Sequence, residues 1–117
     1  MLDYMKYSNI KIEETDTGYA RASVVLESHH LNYYGYTHGG VYYTLGDSTA
    51  GAVTHHYDGD WITLNGQINY LQAVQGGTLV ATGKTINKTR KTVVVRVDIK
   101  CDFKLLATAT YTMYRVR

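Results

Sequence analysis

Residues 32–47 hold the densest set of groups able to do chemistry: Asn32-Tyr33-Tyr34-Gly35-Tyr36-Thr37-His38-Gly39-Gly40, then Leu45-Gly46-Asp47. A Gly-Gly pair that opens a helix offers a positive dipole end and backbone N–H groups with no intrahelical partner. Glycine there lets a ligand approach the backbone closely. Such a place suits a carbonyl oxygen that gains negative charge in a transition state. Asp47 falls inside the helix, on the face it shares with Gly40, Tyr43 and Gly51. A carboxylate beside small residues is open to a ligand and can act as base or nucleophile. On spacing alone, a plain turn followed by a solvated aspartate is the simpler reading.

The elements that must position these groups follow from periodicity. The stretch from His38 to about Thr54 reads as the only helix, with Val41, Leu45, Ser48 and Ala52 as its core stripe. Gly46, Ala50 and Gly51 make sense there if another layer approaches closely. Strands are expected at about 7–14, 19–27, 61–72, 78–87, 92–101 and 104–115. In the second, Ala20, Ala22, Val24 and Leu26 lie on one face with Arg21, Ser23 and Glu27 on the other, and in the fifth Val93, Val95, Val97 and Ile99 alternate with Arg96, Asp98 and Lys100. Residues 28–37 read as a polar and aromatic loop. Asp16-Thr17-Gly18, Gly76-Gly77, Asn87-Lys88-Thr89-Arg90 and Cys101-Asp102-Phe103-Lys104 read as turns. The order is ββαββββ, an α+β arrangement. One helix cannot supply the crossovers of a parallel sheet, so the economical solution is an antiparallel sheet curled around that helix.

Composition sets the outer bounds. The chain has 117 residues, which fits a single domain spanning 1–117. Cys101 is the only cysteine, so no intrachain disulfide forms, and a reducing compartment is the natural reading. The first residues lack the pattern of a signal peptide, and no run reaches the length of a membrane span. The expected location is cytoplasmic, without membrane attachment. A net charge of +2 does not call for a nucleic-acid partner. The chain has no proline, and twelve tyrosines against one phenylalanine, which suits half-buried walls or an interface. The tyrosines at 33, 34, 36, 42 and 43 are candidates to line an acyl or aryl pocket, a subunit interface, or both. The pairs His29-His30 and His55-His56 invite a metal reading, but neighbours on a strand point to opposite faces and no carboxylate–histidine pattern surrounds them. No metal site is expected.

Asn32, Gly35, His38-Gly39-Gly40 and Asp47 resemble the N-x-x-G-x-x-H-G-G-x-x-x-x-x-x-D signature of the PaaI-like hotdog thioesterases of phenylacetate-pathway type. The likeness continues through Ile68-Asn69-Tyr70-Leu71 and the last strand, Leu105 to Thr110. It implies a hotdog fold, a curled sheet of about six strands around one long central helix, and hydrolysis of acyl-coenzyme A. No separate cofactor is implied, since coenzyme A belongs to the substrate.

The resemblance assigns Asp47 as the catalytic carboxylate, either activating water or attacking directly. It assigns the Gly39 backbone N–H to polarise the thioester carbonyl, Asn32 to assist there, and the Thr63 hydroxyl to help hold water. His38 and Gly40 belong to the same substrate-binding signature; His38 reads as a structural residue at the helix start or as a base. Lys88, Arg90 and Lys91 are candidates for coenzyme A phosphates, or an ordinary solvated turn. The departures concern turns: Gln72-Ala73-Val74 lacks the usual proline, Thr89 replaces a common glycine, and the last hairpin is short.

Gly39 and Asp47 are eight residues apart, about 12 Å along a helix. An oxyanion donor must lie within about 3 Å of the carbonyl oxygen, so one chain is too short-armed to supply both groups. A homodimer sharing its sites is therefore expected, and the resemblance adds pairing of dimers into tetramers. Two rival functions remain. A hydroxyacyl dehydratase of this fold carries a proline-rich histidine loop, which this chain lacks. A non-catalytic acyl-coenzyme A sensor would lack the carboxylate and adjoin a DNA-binding domain.

Overall fold

The strand segments of the sequence assemble into one antiparallel sheet. In the computed structural model, which describes residues 3–117, the strands are β1 (Ile10–Asp16), β2 (Tyr19–Val25), β3 (Trp61–Tyr70), β4 (Thr78–Lys88), β5 (Thr92–Cys101) and β6 (Lys104–Arg115). Their order across the sheet is β1-β2-β4-β5-β6-β3, with every neighbour antiparallel. A long helix, α2 (Gly39–Thr54), touches all six strands, so the sheet curls around it. The core lies between them. Val93, Val95, Val97 and Ile99 of β5 are fully buried, as are Ala20 and Ala22 of β2. The antiparallel sheet curled around one helix that the residue pattern predicts is thus formed, and with it the hotdog fold that the resemblance implies.

Several local readings need correction. The first strand starts at Ile10 rather than residue 7, because Tyr4–Tyr7 form a short helix, α1. Asp3 caps it: its carboxylate accepts from the N–H groups of Met5 at 3.0 Å and Lys6 at 3.4 Å. α2 is therefore not the only helix. A single 3-10 turn, Ser28–His30, also interrupts the 28–37 loop and carries His29-His30, which are not on a strand. β3 ends at Tyr70, and β4 continues through Asn87 and Lys88, leaving Thr89–Lys91 as the turn.

The core face of α2 is also broader than the expected stripe. Tyr42, Leu45, Gly46, Thr49, Ala50, Val53 and Thr54 are buried, while Val41, Ser48 and Ala52 are only partly so. Three hydroxyl residues can join the core because each finds a carbonyl, Thr54 that of Gly51 at 3.1 Å. Thr49 donates to the Leu45 carbonyl at 2.7 Å, and Tyr42 to that of Gln72 at 3.4 Å. Gly46 is buried for a different reason: the Tyr111 ring lies where its side chain would be.

Candidate active site

Asp47 projects from the middle of α2, partly buried, toward the start of β3. The Thr63 hydroxyl donates to its Oδ1 at 2.5 Å, a charge-assisted bond. β3 carries a bulge between Thr63 and Asn65. Upstream of it, Trp61 and Thr63 face inward; downstream, Gly66 and Ile68 do. The extra residue switches the parity of the strand and aims the Thr63 hydroxyl at the helix.

Asp47 and Thr63 lie in the wall of an open groove of about 620 Å³. One side is the α2 face formed by Asp47, Ser48, Gly51, Ala52 and His55. Trp61, Ile62 and Met113 form the facing side, and Met5 of α1 with Ile12 of β1 close a third. Residue periodicity alone misses most of these. Ser48 and Ala52 were expected in the core, yet they line the groove. His55-His56 line its far end, where the helix stops. Tyr43, one turn before Asp47 on α2, packs edge-on against Tyr111 at 5.3 Å between ring centres.

Three phenols surround the carboxylate and the helix start. Tyr111 is fully buried and donates to the Tyr43 carbonyl at 2.9 Å. Burial pushes its pKa well above the ordinary tyrosine value, and the nearby Asp47 charge adds to the shift. Burial likewise raises Tyr42 and Tyr70. All three stay neutral at physiological pH and act as donors. Tyr70 donates to the Gly39 carbonyl at 3.1 Å, which ties the helix start to β3.

The helix start is organised by its own signature residues. His38 is the N-cap, its Nδ1 accepting from the Gly40 N–H at 2.9 Å. That bond makes Nδ1 an acceptor and engages the Gly40 amide. Gly39, in the preceding position, keeps an N–H that no residue of the helix can accept. The Asn32 Oδ1 accepts from the Tyr34 and Tyr36 amides at 2.8 and 3.1 Å, which holds the turn where Gly35 takes a positive φ of 82°. Its oxygen is committed to the loop, and its amide NH₂ is the end left for other work.

The structure therefore brings Asp47 to Thr63, and His38 to Gly40, but does not bring these two groups together within the chain. Lys88 and Lys91 lie elsewhere, over the rings of Tyr57 at 5.0 Å and Tyr114 at 5.9 Å. Tyr57 in turn meets Trp61 edge-on at 6.5 Å, so Lys88 stands near the far end of the groove. Arg90 is exposed in the same turn. Of the five tyrosines expected at a pocket or interface, Tyr33, Tyr34 and Tyr36 are exposed on the loop, whereas Tyr42 is buried in the core and Tyr43 half-buried beside it. Cys101 is buried and free.

This geometry agrees with what the chain is similar to. A profile of the Thioesterase superfamily matches residues 34–106, more than half the chain. A protein of Archaeoglobus fulgidus provisionally named an esterase is 32% identical over 124 residues, covering 97% of this chain and 80% of that one. A hypothetical thioesterase of Streptococcus pneumoniae, solved with coenzyme A, is 34% identical with a TM-score of 0.87, covering 92% of this chain and 89% of the other. A mutant of the phenylacetic acid degradation protein PaaI from Thermus thermophilus is 25% identical with a TM-score of 0.92, covering 97% and 98%. The chain belongs to the Thioesterase superfamily, and its resemblance to the PaaI-like hotdog proteins holds along nearly its whole length. No helix among the described residues is long and apolar enough to cross a membrane.

Proposed function

We propose that this chain hydrolyses acyl-coenzyme A thioesters to a free acid and coenzyme A, with Asp47 as the essential carboxylate. The observation that carries this reading is the Asp47–Thr63 pair, set in the wall of an apolar groove. Asp47 either takes a proton from water as that water attacks the carbonyl carbon, or attacks that carbon itself. In the first route a C–O bond forms, the C–S bond breaks, and the proton goes on to the departing thiolate. In the second, the carboxylate oxygen bonds to that carbon as the C–S bond breaks and the thiolate leaves; water then attacks the mixed anhydride, the acyl–oxygen bond to Asp47 breaks to free its carboxylate, and the water's spare proton goes to the thiolate. Thr63 orients the carboxylate in both.

The free N–H of Gly39 and the amide of Asn32 suit the developing oxyanion. Since Gly39 and Asp47 of one chain are about 12 Å apart along α2, the reading takes the donors from a second copy. β3 supports this: it pairs with β6 on one side only, leaving a ten-residue edge with Ile62 and Leu64 exposed. Such an edge is a template for pairing with another strand. Coenzyme A in the pneumococcal relative supports the thiol half of the substrate. Lys88, Arg90 and Lys91 are its candidate phosphate contacts, and His38 and Gly40 shape the helix start.

The test is thiol release from acyl-coenzyme A thioesters of graded length and from an aryl one. Wild type should turn over at least one. Asp47→Ala should reduce kcat/KM by about 10²–10⁴-fold, with an unchanged melting temperature. Wild-type binding without hydrolysis would make the chain a sensor instead.

A further inference from the structure

Gly51 sits one helical turn beyond Asp47, in the last turn of α2, and lines the same groove. A glycine inside a helix is costly and needs a reason. Gly46 has one, because a Cβ there would fall within 3.0 Å of Tyr111 ring carbons. At Gly51 a Cβ would meet nothing within 4 Å. Its backbone is ordinary helix, so no left-handed conformation demands it either. The fold does not require glycine here; what its missing side chain leaves is groove space.

We propose that Gly51 is a specificity-determining residue: it keeps the groove open for the hydrocarbon tail of a medium-chain acyl group whose carbonyl carbon lies at Asp47. This rests on the thioesterase reading and deepens it. The groove's lining is mostly apolar, with Met5, Ile12, Ala52, Trp61, Ile62 and Met113 outweighing the polar Tyr4, Thr15 and Ser48. A hydrocarbon tail matches such walls. The thiol arm of coenzyme A does not, because its two amides would lose water with few partners to replace it. From Asp47 to His55 the groove follows eight helical residues, about 12 Å. That accommodates an extended tail of roughly eight carbons before the exposed His55 and His56 are reached.

The experiment compares kcat/KM across straight-chain acyl-coenzyme A thioesters from two to twelve carbons, for wild type, Gly51→Ala and Gly51→Leu. Wild type should favour about eight carbons. Each methylene that no longer finds apolar wall costs about fourfold, so Gly51→Leu should lower the octanoyl-to-butyryl ratio by roughly 10- to 60-fold. Gly51→Ala should shift the ratio the same way but less, and should raise the melting temperature by a few degrees, since alanine favours helix. That rise separates a filled groove from a damaged fold. A Gly51→Leu protein whose ratio equals that of wild type would overturn the assignment. So would an equal loss at every chain length, which would put the thiol arm in the groove. The thioesterase reading fails separately, if wild type hydrolyses none of the series; thermal stabilisation by octanoyl-coenzyme A, present in wild type and absent in Gly51→Leu, would still support the groove assignment, and its absence from both would overturn it.

Discussion

A carboxylate oxygen and a hydroxyl 2.5 Å apart share one proton, and the hydroxyl is the donor, so Thr63 holds one oxygen of Asp47 and leaves the other for substrate or water. On the proposed mechanism, Thr63 positions the carboxylate as much as it binds. Thr63→Ala should lower kcat by roughly 10- to 100-fold, since a hydrogen bond to a charged group is worth about 1.5–3 kcal/mol, with a smaller effect on KM. Thr63→Ser keeps the hydroxyl and should stay within a few-fold of wild type. Steady-state kinetics on the best thioester decides the point: identical parameters for the two variants would rule out the hydroxyl. Asp47→Asn should be nearly as damaging as Asp47→Ala, because an amide neither takes a proton nor attacks the carbonyl.

At the scale of the element, α2 has two faces with opposite demands. One is pressed into the sheet, where Gly46 admits the Tyr111 ring and lets its hydroxyl reach the Tyr43 carbonyl. The other carries Asp47 and Gly51 into the groove. Glycine-to-alanine changes on these faces should differ in sign. Gly46→Ala gains helix propensity but forces a methyl into Tyr111, and overpacking of this kind costs about 1–3 kcal/mol. The net should be a destabilisation of about 1 kcal/mol, or more if the Tyr111 hydrogen bond is lost. Gly51→Ala should be stabilising. Urea unfolding midpoints of the two variants measure this directly; a shift in the same direction for both would mean that the helix packs differently from the structure described.

At the scale of the whole molecule, one chain holds the Asp47–Thr63 pair and the His38–Gly40 helix start about 12 Å apart along α2. Two-fold pairing of the free β3 edges offers a way to bring one copy's helix start to the other's Asp47. Asn32→Ala and Asp47→Ala should each be nearly inactive alone. Mixed in equal amounts and allowed to exchange subunits, half the dimers carry one chain of each kind, and each of these has one intact site of two. Roughly a quarter of wild-type activity should return. Exchange proven by mass measurement without recovered activity would place both groups in one chain's own site.

Much of this was legible before any coordinates. Alternation in 93–99 placed four β5 side chains in the core, and the His38-Gly39-Gly40…Asp47 spacing marked both the start of α2 and its carboxylate, because these are local periodicities that a chain carries in its own order. The partner of Asp47 was reachable only through family likeness. Strict alternation puts Thr63 on the same face as Asn65 and Gln67, and only the bulge turns it inward, where it meets a helix sixteen residues earlier. The width of the α2 core face was hidden as well, since a threonine or tyrosine reads as polar until the carbonyl that satisfies its hydroxyl is found nearby. The groove was the least legible of all. It is made of a few residues each from α1, β1, α2 and β3 with Met113 of β6, and the emptiness beside Gly51 is a property of none of these segments alone. Spacing along one segment determines which way its own side chains point, whereas a cavity depends on how far separate segments stand apart, and that distance is set only when the whole sheet closes around the helix.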